Sequence, residues 1–335
     1  MTGLSTVGGL MQDSLEPHFQ NVVRASFEGT LIPLLGAGVN LSGRPEQKDW
    51  EPGRFDCLPS GAELAGHLAS YFGYQARNGD AVKDLLRVAQ YVAVISGSGP
   101  LYDRLHWVFD GDYEPSPVHR LFARLPALLR ERGTPHQLIV TTNYDDAMER
   151  ALRDEDEKFD VVAYIAEGDD RGKFHHFRPD GEVVVIKTPN RYGEHGELSL
   201  EERTVVLKIH GAVDRPSGER DSFVITEDHY IDYLTRTEIS DLVPAKLTAK
   251  LLHSSFLFLG YSMRDWNLRV ILHRIWGQQR LRWKSWAVQL DPEQIERQFW
   301  AMRDVEILNQ DLNNYVRTLA GRFGVSTAAR DGAGP

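Results

Sequence analysis

Four short apolar runs in this chain stop abruptly at a glycine or a polar residue, and that punctuation restricts the fold more than any other feature. Leu31 to Leu35 runs into Gly36-Ala37-Gly38-Val39-Asn40, Leu138 to Thr142 into Asn143-Tyr144-Asp145, Val205 to Ile209 into His210-Gly211, and Phe256 to Leu259 into Gly260-Tyr261-Ser262. A short continuous apolar run is the pattern of a strand buried on both faces, as in a parallel sheet covered by helices. Sheets of this kind bind their ligands outside the carboxyl ends of the strands. The residues that close these runs are therefore the candidate site, and the turn at Gly36 can bring backbone close to a phosphate.

Helical patterns fill the intervals. The first is expected from about Ser14 to Phe27, ending near Gly29. Residues 42–60 carry Gly43, Pro45, Pro52, Gly53 and Pro59 and read as a long loop. Ser60-Gly61-Ala62-Glu63 has the N-cap and the acid of a capping box, starting a helix through His67 and Tyr71. Further helices are expected at Ala81 to Ile95, Leu101 to Phe109 and Pro117 to Arg130, and another from Tyr144 to about Leu152. Strand-like pieces follow at 161–165, 183–187 and 223–226, then a helix N-capped by Asp228 and one over Ala245 to Leu252. A helix through Leu268 and Ile271, a strand from Trp286 to Leu290 and a helix start at Asp291-Pro292 complete the pattern. The expected class is α/β, a Rossmann-like, mostly parallel sheet with helices on both faces and a helical cap domain inserted after the first strand. On this reading residues 1–41 and 136–325 form the sheet domain, 42–135 the cap, and the Ala/Gly-rich residues 326–335 a flexible tail.

Composition removes several function classes. No apolar run approaches the ~18 residues of a membrane span, and Met1 to Asp13 lacks a basic region followed by an apolar one, so a cytoplasmic protein with no membrane partner is expected. A single cysteine, Cys57, rules out an internal disulfide and any four-cysteine zinc ribbon. The net charge of −10 argues against a generally basic nucleic-acid surface; the stretch Arg269 to Lys284, with Trp276 and Trp283, reads as a helix with a solvated cationic face. No direct nucleic-acid binding is expected. His175, His176 and His195 fall in polar stretches without the spacing of a helical metal site and are expected to be solvated, and His119 and Arg124 to belong to helix packing.

Taken alone, Gly36-Ala37-Gly38 is weak: the third glycine of a dinucleotide fingerprint would fall on Leu41, and no GxxxxGK[ST] occurs. The order of the four junctions is more specific. A GAG turn, a T-x-N-x-D motif at Thr141-Thr142-Asn143-Tyr144-Asp145, an HG histidine and a late G-x-S turn resemble the sirtuin family over roughly Leu31 to Leu290. The resemblance implies that Gly36, Ala37 and Gly38 lie against an NAD+ diphosphate, with Asn40 beside it. It implies too that Thr142, Asn143 and Asp145 line the nicotinamide-ribose and carboxamide pocket with His210, and that Gly260 and Ser262 face the adenosine half. Asp265 either binds the adenosine ribose or caps the helix beginning at Trp266. Two departures bear on activity: the zinc ribbon of sirtuin deacylases cannot be built here, and Asn40 replaces the usual serine. The chain is more similar to the bacterial sirtuin-like NADases of anti-phage defence, in which NAD+ is substrate and no zinc is expected.

The residue types suit that chemistry. Cleaving the nicotinamide glycosidic bond releases a neutral pyridine from a cationic one through an oxocarbenium-like transition state, so no general acid is required. His210, with an ordinary pKa of about 6.5, can accept a proton from a ribose hydroxyl or water. Asn143 supplies a donor and an acceptor without charge, and Asp145 can stabilise developing positive charge. Asn143 and His210 are thus the expected catalytic pair. Asn143 can equally cap a following helix, and Asp145 suits a helix's first turn whatever its role. Two other functions compete: a non-catalytic sensor of NAD or ADP-ribose within a larger complex, and a deacylase lacking zinc. The resemblance also implies a homo-oligomer and an activating partner such as a HerA-type ATPase.

Overall fold

Both faces of the central strands are buried, and their side chains alternate between two cores. In this computed structural model residues 5–45, 48–76, 82–194, 196–235, 243–264, 268–269, 272 and 283–329 are described. The strands are β1 (Leu31–Leu35), β2 (Leu138–Thr141), β3 (Phe159–Tyr164), β4 (Phe174–Phe177), β5 (Val183–Ile186), β6 (Thr204–Lys208), β7 (Ser255–Leu259), β8 (Ser285–Gln289) and β9 (Val305–Asn309). They form one sheet in the order β5-β4-β3-β6-β2-β1-β7-β8-β9. Pairing is parallel from β3 through β9, and β4 and β5 extend it as an antiparallel edge. The mostly parallel α/β sheet expected from the sequence is present.

Ile32, Leu34, Leu138, Val140, Val205, Leu207, Phe256 and Phe258 face one core, completed by α7 (Glu227–Thr235) and α8 (Ala245–Leu252). Leu31, Leu35, Ile139, Val206, Leu257 and Leu259 face the other. That second core holds α1 (Ser5–Phe27), α5 (Pro117–Glu131), α6 (Ala147–Asp154) and α10 (Leu312–Phe323), while α9 (Gln294–Ala301) adds Trp300 to the first. A strand with a period of two and apolar residues at both phases has no other stable place than between two layers.

The chain between β1 and β2 makes an excursion. α2 (Gly61–Phe72), α3 (Leu85–Ser96) and α4 (Ser98–Phe109) bury Leu64, Leu68, Val88, Val92, Leu101 and Leu105 in a third core, joined by Phe223 and Ile225 from the loop after β6. Gly43 and Pro117 meet at its two ends: a Cβ on Gly43 would stand 2.9 Å from the Pro117 ring. α5 then returns to the sheet face. Glu63 anchors the irregular 42–60 loop, because its carboxylate accepts from Ser60 N (2.7 Å), Trp50 N (2.7 Å) and Arg44 Nη1 (2.9 Å). Burial opposes its ionisation, yet these bonds together bring its pKa to about 2.

Several local expectations change. α1 starts at Ser5, earlier than Ser14. The chain at 223–226 is not a strand, and α7 is capped by Thr226, whose Oγ1 accepts from His229 N at 3.1 Å, placing Asp228 in the first turn. α6 begins at Ala147 rather than Tyr144. β4, β9 and α10 are additional. His176 is not solvated: it is fully buried in β4, bonded to Asp160 (3.0 Å) and to the Tyr192 hydroxyl (2.7 Å). His195, Asp265, Trp276 and most of the expected cationic helix lie outside the described residues.

β1 is the switch point. On one side of it lie β2, then β6 inserted between β2 and the earlier strand β3, and on the other side β7, β8 and β9 follow in chain order. The loops after β1, β2, β6 and β7 all open at the crevice where strand order reverses.

Candidate functional site

Two of these loops interlock through their backbones. Gly36 N donates to Leu259 O and Gly38 N to Gly260 O, each at 2.9 Å. A Cβ would lie 2.7 Å from Gly260 O if placed on Gly36, and 2.8 Å from it if placed on Gly38. Gly260 has φ +72, and a Cβ there would stand 2.3 Å from Val39 N. Contact this close, together with a left-handed conformation, admits only glycine at Gly260.

The loop after β2 is folded onto the same place. Thr141 Oγ1 donates to Leu35 O (2.9 Å) and accepts from Asn143 N (3.0 Å), which turns the Asn143 side chain toward the first loop. Asn143 Nδ2 reaches Gly36 O at 3.3 Å and Asn40 Oδ1 at 3.4 Å. Asn40 Nδ2 donates to Asp145 Oδ2 at 2.8 Å, and Ala147 N to Asp145 Oδ1 at 3.1 Å. Asn40, Asn143 and Asp145 are thus one polar network. Beneath it Lys208 is buried, donating to the Asp145 carbonyl and to Glu149 Oε1 at 2.8 Å. Thr142 Oγ1 lies 3.0 Å from the Tyr261 hydroxyl, which also donates to Leu35 O.

His210 stands at the end of β6, 4% exposed, with the edges of Tyr230 and Tyr233 against its ring. Its Nδ1 is 3.5 Å from the Tyr230 hydroxyl, and its buried Nε2 has no hydrogen-bond partner among the described residues. Burial depresses its pKa to about 3, so the ring is neutral at physiological pH, a correction to the value of about 6.5 expected from the sequence. An unpaired polar atom this deeply buried is costly unless something pairs with it in use.

A cavity of about 400 Å³ unites these parts. Ala37, Asn40, Thr142, Asn143, Asp145, His210, Gly260 and Ser262 line it from the strand ends, with Ser60, Leu64, Lys83, Leu86 and Phe109 on the opposite wall. Gly36 and Gly38 are not among its lining; they hold the loops together behind it. Asp265 lies outside the described residues. His119 is buried on α5, with its Nδ1 accepting from Ser116 N at 3.1 Å, and Arg124 pairs with Glu155. Lys208, Glu149, Tyr230 and Tyr261 were not anticipated. A lysine inside an otherwise apolar run was the one available signal, since such a charge must find a buried partner. Chemically, the cavity offers a carboxylate, an amide and a neutral imidazole, a set suited to a ligand bearing hydroxyls and positive charge.

A family model described as SIR2-like domain matches residues 137–308. The chain is 32% identical over 197 residues to a protein from Acinetobacter baumannii named NAD(+) hydrolase ThsA, and 30% identical over 194 residues to one of the same name from Enterococcus faecium. These alignments take in 58% and 57% of this chain but 32% of each relative, so the chain spans about a third of the length of the curated relatives it matches. A solved structure described as Sir2-p53 peptide-NAD+ aligns with 93% of this chain and 99% of its own at 13% identity, with a TM-score of 0.35, too low for any position to be carried across.

Proposed function

Since the chain belongs to the SIR2-like domain family, we propose that its cavity binds NAD+ and hydrolyses the bond between nicotinamide and ribose, giving nicotinamide and ADP-ribose or a cyclised form of it. The observation that carries this reading is His210: a neutral imidazole whose buried Nε2 has no hydrogen-bond partner among the described residues, facing the same cavity as the Asn143 amide and the Asp145 carboxylate. The relatives named NAD(+) hydrolase support it.

In this scheme the C1′–N bond breaks with its electron pair leaving on nicotinamide, which departs neutral. Positive charge grows on the ribosyl ring, and Asp145 offers the compensating negative charge within the cavity. The Asn143 side chain, which makes two long hydrogen bonds among the described residues, can exchange them for a ribose hydroxyl or the attacking water. With Nδ1–H turned to Tyr230, Nε2 of His210 is an acceptor. A pKa of about 3 makes it a weak base, and a weak base suffices here: water that has added to a ribosyl cation is itself strongly acidic, so its proton moves to His210 or to solvent without a strong acceptor. Ala37 and Asn40 would meet the diphosphate, and Gly260 and Ser262 the adenosine half. We extend the proposal to NAD+ depletion in anti-phage defence on the strength of the family resemblance, with activity held off until a partner or assembly releases it.

The test is NAD+ consumption with nicotinamide release by wild type, Asn143→Ala and His210→Ala, each checked for folding. Turnover that falls about 10²-fold or more in both folded variants supports the reading. Wild type that binds NAD+ and leaves it whole, in the presence of cell extract as well, replaces it with the sensor function.

A further inference from the structure

Arg215 lies on the loop that begins with His210, and it grips two other segments beside the cavity at once. Its Nε donates to Asp110 Oδ1 (3.2 Å), and its Nη2 to the Asp110 carbonyl (2.9 Å) and Asp112 Oδ1 (2.8 Å), all just past the end of α4. Its Nη1 donates to Asp146 Oδ2 (3.1 Å), the N-cap of α6 and the neighbour of Asp145. The rest of the His210 loop reinforces the grip on α4. His106 Nδ1 meets Asp221 Oδ2 at 2.8 Å, and the Tyr102 hydroxyl donates to Phe223 O at 3.3 Å.

We propose that Arg215 is a positioning residue: its guanidinium sets the His210 loop against the Asn143–Asp145 loop and fastens the end of α4 beside the cavity. The proposal rests on the catalytic reading of that cavity. A planar fork with donors on three nitrogens can satisfy separate carboxylates in fixed directions, which a lysine ammonium cannot. The contacts differ in weight. Asp146 is 13% exposed and held in place, whereas Asp112 is 82% exposed and adds little. The arginine therefore joins the two loops that carry Asn143 and His210 and, through the Asp110 carbonyl, holds the end of α4 against them. The consequence is on geometry: a shift of about 1 Å between reacting groups costs on the order of 10²-fold in rate while leaving binding largely intact.

The experiment compares wild type with Arg215→Met, Arg215→Lys and Asp112→Asn, measuring kcat and KM for NAD+ separately, together with amide hydrogen exchange over residues 98–112 and 209–226. Arg215→Met is expected to speed exchange in both segments and lower kcat by roughly 10- to 100-fold with a smaller change in KM. Arg215→Lys should recover only part of this, and Asp112→Asn should resemble wild type. Unchanged exchange in Arg215→Met overturns the proposal. So does faster exchange with kcat intact, or a loss confined to KM. Should Arg215→Met not fold, Asp146→Ala removes the loop-to-loop acceptor and is judged by exchange over residues 209–226 and by kcat against KM. If wild type leaves NAD+ whole, the functional reading fails, and the exchange data still decide whether Arg215 joins the segments.

Discussion

Gly260→Ala tests the interlock of the first and last site loops. At φ +72 an alanine costs about 1 to 2 kcal/mol in backbone conformation alone. Its Cβ would also meet Val39 N at 2.3 Å, where ordinary contact begins near 3.4 Å, so the two backbones must part by about 1 Å. That movement breaks or stretches the 2.9 Å bond from Gly38 N to Gly260 O, worth about another 1 kcal/mol. The expected loss is therefore about 3 kcal/mol, read as a fall in the urea midpoint at unchanged slope. Ligand binding should weaken with it, because Ala37 and Asn40 ride on the displaced turn. Gly61→Ala is the control. A Cβ there meets nothing within 4 Å, and as the first residue of α2 it should be neutral or slightly stabilising. A Gly260→Ala protein within about 0.5 kcal/mol of wild type and of unchanged affinity would refute the argument.

Lys208→Met strands the buried Glu149 carboxylate, whose pKa burial already raises, and should cost about 3 to 5 kcal/mol in denaturant titration; Glu149→Leu added to it should return much of that loss, and a double variant no better than the single would count against the pairing. Burial holds His18 and His119 near pKa 4 and His210 near 3, against about 6.5 when unfolded. Above pH 6.5 all three are neutral in both states; as pH falls toward 4 the unfolded chain takes up protons that the folded chain refuses. Stability should then drop by up to about 1.4 kcal/mol per pH unit for each ring, and a urea midpoint that holds steady from pH 7 to pH 5 would contradict this. Ser60→Ala removes one half of the α2 capping box and should cost about 1 kcal/mol, measured by thermal melting beside wild type.

The central strands were readable because a strand buried on both faces must be apolar at both phases, and little else in a polar chain looks like Phe256 to Leu259. β4 was not readable for the opposite reason: Phe-His-His-Phe hides a buried histidine whose partners, Asp160 and Tyr192, come from elsewhere in the sequence. The junction residues around the cavity stood out by position, since a strand end in an open sheet fixes where a side chain can go. Their state did not. The depressed pKa of His210 comes from its burial, with Tyr230 and Tyr233 on α7 packed against the ring, an arrangement that no local pattern announces. Likewise, Gly36 and Gly38 looked like phosphate-turn glycines, whereas their tightest contacts are with Gly260 and its neighbour. Arg215 carries no signal at all, because Asp110, Asp112 and Asp146 are its partners only after folding.

The meeting of Gly43 and Pro117 has an evolutionary consequence. A segment that leaves and rejoins the body at touching residues can change in length on its outer side without moving the paired strands on either side. The floor of the cavity descends with the sheet, while one wall descends with this excursion. Selection could then reshape what enters the cleft, and what other molecules meet its outer face, while the residues at the strand ends stay as they are.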